Sequence, residues 1–196
     1  MFWPKIDEEY REELRGISEG LKARGVKLDT LDLATMNAWQ ELSPYWFRWH
    51  EARQGRLVRI STPEHCSAFV ATGSYTKDGQ PVIAHNAWTT YIEGARWNII
   101  LDIVPTSGHR ILMDSFPGLI HSGDDFGINS GGLMITETTI SGFSGFDPEG
   151  IPEFVRARIA VLEAHLPGRA FQVQKNPAVL FGACSSLQAR IGPRLP

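Results

Sequence analysis

The chain has 196 residues, 42% hydrophobic and 21% charged, a globular balance that argues against wholesale disorder and allows a sizeable core. Its 19 basic and 22 acidic residues leave a net charge of −3, which excludes a generally basic nucleic-acid binder. No run of about 18 apolar residues occurs, so no spanning helix is expected. Two cysteines, Cys66 and Cys184, cannot build a disulfide framework.

The first residues, MFWPKIDEEYREEL, carry charge from Lys5 and Asp7 onward and lack the apolar stretch of a secretory signal. The expectation is a cytoplasmic protein if the chain starts where the protein starts, and a secreted or periplasmic one if a leader is missing. Charge divides the chain into three. Residues 1–65 hold ten basic and eleven acidic side chains, residues 66–165 five and eleven, and residues 166–196 four and none.

In the first region Ile6, Tyr10, Leu14, Ile17 and Leu21 recur at spacings of one helical face. Asp7, Glu8 and Glu9 suit a helix start, and Gly25 suits its stop. A second helix is expected over 31–42, capped by Asp29 or Thr30 and ended before Pro44. Tyr45, Trp46, Phe47 and Trp49 then read as a buried aromatic connection. The second region reads as strands. Residues 67–75 and 81–86 pair around Lys77-Asp78-Gly79, residues 97–104 and 110–116 pair around Thr106-Ser107-Gly108-His109, and residues 132–140 form a further strand. Pro152 opens a helix to about residue 164, with Phe154, Ile159 and Leu162 as apolar positions. The third region has four prolines and no periodicity, and is expected to be a poorly ordered basic tail.

Cys66 stands where the helical region gives way to strands. If the His65–Cys66 bond were cut, the new α-amine, with a reference pKa of about 7.7–8.0, could take the thiol proton, so one residue would supply nucleophile and base. The alternative is a small buried hydrophobe. The other histidines, His50, His109, His121 and His165, show no metal-ligand spacing, and no glycine-rich phosphate loop occurs, so no metal and no cofactor are expected.

The stretch CSAFVATGSYTKDGQPVIAHN, residues 66–86, resembles the start of the mature chain in N-terminal-nucleophile hydrolases. It resembles in particular the group uniting phospholipase B-like proteins with the acyl-coenzyme A:6-aminopenicillanic-acid acyltransferase family. HNAWTTYIEGARWNI from His85, DSFPGLIHSGDDFGINSGGLMITETTI from Asp114 and GFDPEGIPEFVRAR from Gly145 agree with it, so the resemblance spans residues 5–165. It implies an α+β fold of the four-layer αββα type, incomplete here because nothing in 166–196 resembles the later blocks. It also implies a helical propeptide-like arm over 1–65, the first part of the hydrolase domain over 66–165, and autocleavage between His65 and Cys66. The Arg-Asn-x-Asp run of the acyltransferase branch is replaced by His85, Asn86, Ala87 and Trp88, which favours hydrolysis of an amide or ester, lipid acyl substrates included.

By the resemblance, Cys66, His85, Asn86 and Asn129 make up the catalytic set, with Trp88, Asp124 and Asp125 near it. His85 would tune protons near the thiol, or else bond to backbone at a strand end. Asn129, in Gly-x-Asn-x-x-Gly-Leu, would hold an oxyanion, worth about 2.7–4 kcal/mol, or would shape a tight turn. Asp124 and Asp125 could cap a turn, do acid–base work or hold a cation. Two other readings stand beside this one. One is an inactive relative that serves only as a binding module. The other is an unprocessed thiol enzyme with His85 as base.

Overall fold

The spacing that begins at Ile6 forms a helix, α1 (Glu8–Ala23), in the computed structural model, which describes residues 1–56, 66–122, 126–139, 146–163 and 184–190. Gly25 ends it as expected. With φ at +80°, Gly25 donates to the Lys22 carbonyl while Val26 donates to that of Leu21, both at 3.0 Å, the paired bonds of a glycine-terminated helix. Asp29 caps α2 (Thr30–Asn37). Its Oδ1 accepts from the Leu31 and Asp32 amides at 2.8 and 2.9 Å, and the Asp32 carboxylate accepts from the Asp29 amide at 2.9 Å.

The second helix is shorter than the sequence suggests. It ends at Asn37 and is followed by one turn, α3 (Trp39–Glu41), a π turn over Leu42–Trp46 and α4 (Phe47–Arg53). Pro44 lies inside the wide turn rather than after a helix end; lacking an N–H, it cannot sustain the α-helical ladder there. The aromatic connection is only partly buried. Tyr45 is enclosed, Trp46 and Trp49 are half-buried, and Phe47 is exposed.

Two antiparallel sheets follow. The first is a hairpin of β1 (Ser67–Gly73) and β2 (Gly79–Asn86). The second has five strands in chain order: β3 (Ile99–Ile103), β4 (Ile111–Ser115), β5 (Phe126–Asn129), β6 (Leu133–Thr139) and β7 (Cys184–Arg190). Between the sheets lies α5 (Tyr91–Arg96), and α6 (Glu153–Glu163) comes after β6. At this level the mixed α+β expectation holds.

Besides α4, three elements were not anticipated. A Thr90/Glu93 capping box starts α5. Strand β5 occupies four residues interrupted by Gly127, too few for alternation to show. Strand β7 lies within the segment expected to be a poorly ordered basic tail; Cys184–Arg190 pairs with β6 from Leu133↔Arg190 to Thr139↔Cys184, and the rest of 166–196 lies outside the described residues. Its polar sequence, CSSLQAR, takes its conformation from the neighbouring ladder rather than from its own pattern.

Register fixes what each sheet face meets. Paired residues share a face, so Leu101 and Ile103, Ile111 and Met113, Gly127 and Asn129, and Leu133 and Ile135 line one side of the five-stranded sheet. That side forms one core with Ile6, Tyr10 and Leu14 of the first helical segment, Leu33, Ala34 and Ala38 of the second, and Phe154 and Val155 of α6. The β1–β2 hairpin lies against β6 and β7, where Met134 and Thr136 of the opposite face are buried. The described residues thus stack as helices, sheet and hairpin.

The helical region is therefore part of the body's core. Polar ties bind it too. Arg158 donates to Glu13 at 2.8 Å, and its guanidinium stands 5.6 Å from the Tyr10 ring centre. The buried Asn37 donates to the Leu33 and Gly118 carbonyls at 2.9 and 3.0 Å and accepts from the Ile120 amide at 2.8 Å. Gly118 has φ at +91°, and an added Cβ would reach Met36 and Leu33 at 3.4 and 3.5 Å, so a glycine lets this loop bend against α2. Asn37→Ala strips three bonds from buried backbone groups and is expected to cost about 1–3 kcal/mol in denaturant unfolding.

Candidate active site

The β1–β2 hairpin sets the position of Cys66. Its turn closes through the Thr76 amide on the Gly73 carbonyl at 3.2 Å and the Gln80 amide on Asp78 Oδ1 at 3.1 Å, with Gly73 and Gly79 at φ +57° and +75°. This is the Lys77-Asp78-Gly79 turn expected from sequence. Register then runs without interruption from Ala71↔Val82 to Ser67↔Asn86. Cys66 immediately precedes the first paired residue.

Alternation assigns the faces. Ala68 pairs with His85, so Cys66, two residues before Ala68, shares the face of His85 as its diagonal neighbour. Such neighbours have Cα atoms about 7–8 Å apart, within reach of an imidazole. Both side chains are half-buried. Ser67 pairs with Asn86 on the other face, where Ser67, Phe69 and Asn86 are exposed. Two members of the expected catalytic set are thus brought together, and Asn86 points away from them. Trp88 lies beyond the strand and is 60% exposed.

Asn129 is buried at the end of β5, on the face covered by helices. Its Oδ1 accepts from the Gly131 amide at 3.0 Å and the Leu133 amide at 2.9 Å, and its carbonyl accepts from Gly132 at 3.0 Å. The side-chain oxygen therefore shapes the β5–β6 turn. The same turn holds Gly131, where a Cβ would stand 2.8 Å from the His109 ring. Its Ser130 hydroxyl lies 3.3 Å from His109 Nδ1. This turn and the Cys66 face belong to different layers. His65, Asp124 and Asp125 lie outside the described residues.

Two polar features near this region were missed by sequence reasoning. Ser122 donates to Asp114 and accepts from the Phe126 amide at 2.6 Å, which fixes the entry to β5. Asp114 stands on the β4 face opposite the helices, the face on which β6 carries Thr136. Thr136 is fully buried, and among the described residues its hydroxyl has no hydrogen-bond partner. The hairpin lies against this strand, so a polar group is available between the two sheets. Only the sheet register reveals these two; in sequence they are ordinary strand polar residues. Past β2, the Thr89 and Thr90 hydroxyls donate to Glu93 at 2.6 and 2.7 Å and hold its carboxyl below the usual range.

Comparison with known proteins shows the family. The profile of a family described as Phospholipase B matches residues 1–171. The chain is similar to phospholipase B-like 1 of Homo sapiens, 32% identical over 109 residues that cover 51% of this chain and 19% of the human protein. It is similar also to phospholipase B-like 1 of Rattus norvegicus, 30% identical over 109 residues covering 51% and 20%. The matched part amounts to about a fifth of the length of these relatives.

Proposed function

The chain belongs to the phospholipase B family, and from that premise we propose that it is the nucleophile-bearing part of a hydrolase acting on lipid acyl esters or linear amides. The observation that carries this reading is the shared hairpin face of Cys66 and His85, with Cys66 at the head of the strand. The stack of helices, sheet and hairpin supports assignment to three of the four layers of an αββα sandwich. The boundary between His65 and Cys66 is read as a processing site between a helical arm, 1–65, and the hydrolase portion, 66–165, with a basic segment, 166–196, after it.

The chemistry has two stages. In the first, Cys66 Sγ attacks the His65 carbonyl carbon and loses its proton. The C–N bond breaks, the nitrogen is protonated, and His65 is held as a thioester. Water hydrolyses that thioester to the His65 carboxylate and regenerates the thiol. In the second, the freed Cys66 amine takes the thiol proton, the thiolate attacks the substrate acyl carbon, and the leaving alcohol or amine recovers the proton. Water then releases the acid. His85, on the same hairpin face, is assigned a positioning role beside the thiol. The oxyanion needs N–H or O–H donors. Asn129 is the candidate from the resemblance, although its Oδ1 is committed to the turn, and the buried Thr136 hydroxyl is a second candidate on the nearer layer. Asn86, on the opposite hairpin face, and the exposed Trp88 are assigned to the rim of the site rather than to bond making.

Intact-mass spectrometry of the purified chain beside Cys66→Ala tests the reading. Two fragments split at His65/Cys66, absent from the variant, are expected. A single mass of 21.8 kDa in both overturns self-processing. Ester turnover by such an uncut chain assigns the base to His85. Absence of both cleavage and turnover overturns the hydrolase reading.

A further inference from the structure

Four aromatic rings form an unbroken row along the outside of the helical region. Trp39 meets Phe47 edge-on with centroids 6.4 Å apart, Phe47 meets Trp46 at 5.0 Å, and Trp46 stacks on His50 at 4.9 Å. Trp39 is 56% and Phe47 39% exposed. Trp49, on the same helix, behaves differently. It turns to Phe146 at 5.6 Å, and Arg53 lies over its ring at 4.4 Å. The row is therefore an outward display rather than the rim of the core.

The exposed charges of its own chain segment are one-sided. From residue 38 to 56 the exposed or half-exposed charges are Arg48, Arg53 and Arg56 against the single carboxylate of Glu51, which pairs with Arg56 at 2.5 Å. Glu41 is buried. An apolar ring surface with cationic side chains on the same segment matches the boundary between lipid headgroups and acyl chains. There an indole buries its ring and keeps its N–H wet, and arginine meets phosphate. No described helix is long and apolar enough to cross a membrane, so such contact would be peripheral.

We propose that the Trp39–Phe47–Trp46–His50 row, with the exposed Arg48 on the helix of Phe47 and His50, docks this protein on an anionic lipid surface. The proposal rests on the lipid-directed reading for its choice of partner, and its test does not depend on catalysis. The Cys66→Ala chain is mixed with phosphatidylcholine vesicles, with and without phosphatidylserine, and followed by co-sedimentation and tryptophan emission. Binding to the anionic vesicles with a blue shift is expected. Trp39→Ala with Phe47→Ala is expected to weaken it by about tenfold or more. Arg48→Glu, at an exposed position, leaves the fold intact and is expected to weaken binding to anionic vesicles by about fivefold or more, with neutral vesicles unaffected. Failure of the Cys66→Ala chain to bind overturns the proposal, and so does equal binding by both variants. Self-association that disappears in the double variant, without vesicle binding, assigns the row to a protein interface and also overturns it. A chain that binds vesicles yet is never cleaved refutes the hydrolase reading alone.

Discussion

Tyr10→Ala is expected to destabilise the whole described fold by about 3–5 kcal/mol, the range for removing a fully enclosed aromatic side chain. Tyr10 is 2% exposed and belongs to one cluster with sheet residues Ile111, Met113, Leu133 and Ile135 and with Phe154 of α6. Its ring also faces the Arg158 guanidinium, which Glu13 holds at 2.8 Å. Truncation removes the packing and opens a cavity between the arm and the sheet. A separable arm would predict a different result, with little change in the unfolding of the strands. Denaturant unfolding followed by far-ultraviolet dichroism and by tryptophan emission distinguishes the two. Coincident transitions that both shift to lower denaturant are expected, and a sheet transition unmoved by the substitution would show that the arm folds apart. The same packing implies that fragments cut at His65–Cys66 stay together on a sizing column until denatured.

Raising the pH from about 4.5 to 7 is expected to withdraw stability of about 3 kcal/mol through Glu41. Burial pushes its carboxyl up to about 7, and the Glu153 carboxylate adds repulsion. The Glu153 amide, which donates to Glu41 Oε2 at 2.8 Å, pulls the other way, as do Arg156, 3.7 Å from Oε1, and Lys5. A folded-state pKa above the unfolded value means that the folded chain holds the extra proton. Stability is then fullest below about 4.5 and declines as pH rises through 7. His121 acts in the opposite sense. Its burial lowers the imidazole pKa, so protonation in the unfolded chain withdraws stability as pH falls below about 6.5. Glu41→Gln isolates the first effect. The melting temperature of the native chain relative to the variant should fall between about pH 4.5 and 7, and a difference that does not change with pH would place the origin elsewhere.

How much could be read beforehand follows from what kind of signal each element carries. Helix α1 announces itself twice, by five apolar positions on one face and by Gly25, and both features operate in the structure. The first hairpin is legible from its Asp78-Gly79 turn, and with the register fixed, the common face of Cys66 and His85 follows from alternation. Alternation also sends Asn86 to the other face, a consequence available from sequence once the strand is granted. The rest depends on neighbours. Strand β7 has no apolar pattern of its own, and β5 is too short to show one. The outward turn of Phe47 and the inward turn of Tyr45 are set by the π turn between Leu42 and Trp46. In sequence Asn129 fits an oxyanion donor as well as a turn former, and its oxygen accepts from two backbone amides of the turn. Helix α5 carried a readable sign, Thr90-x-x-Glu93, that passed unused among exposed residues.

The link between Glu13 and Arg158 joins residues 145 apart in sequence. The helical arm emerges before the strands and helix that cover its apolar face, which follow from residue 99 to residue 163. At roughly 5–20 residues per second, the arm waits about 7–30 s for its partners. Across that interval its apolar face is exposed to other binders in the cell. The hairpin that carries Cys66 is likewise unsupported until β6 and β7 exist. Under the proposed processing, bond scission at its head would be a timer, recording the moment at which β6 and β7 arrive.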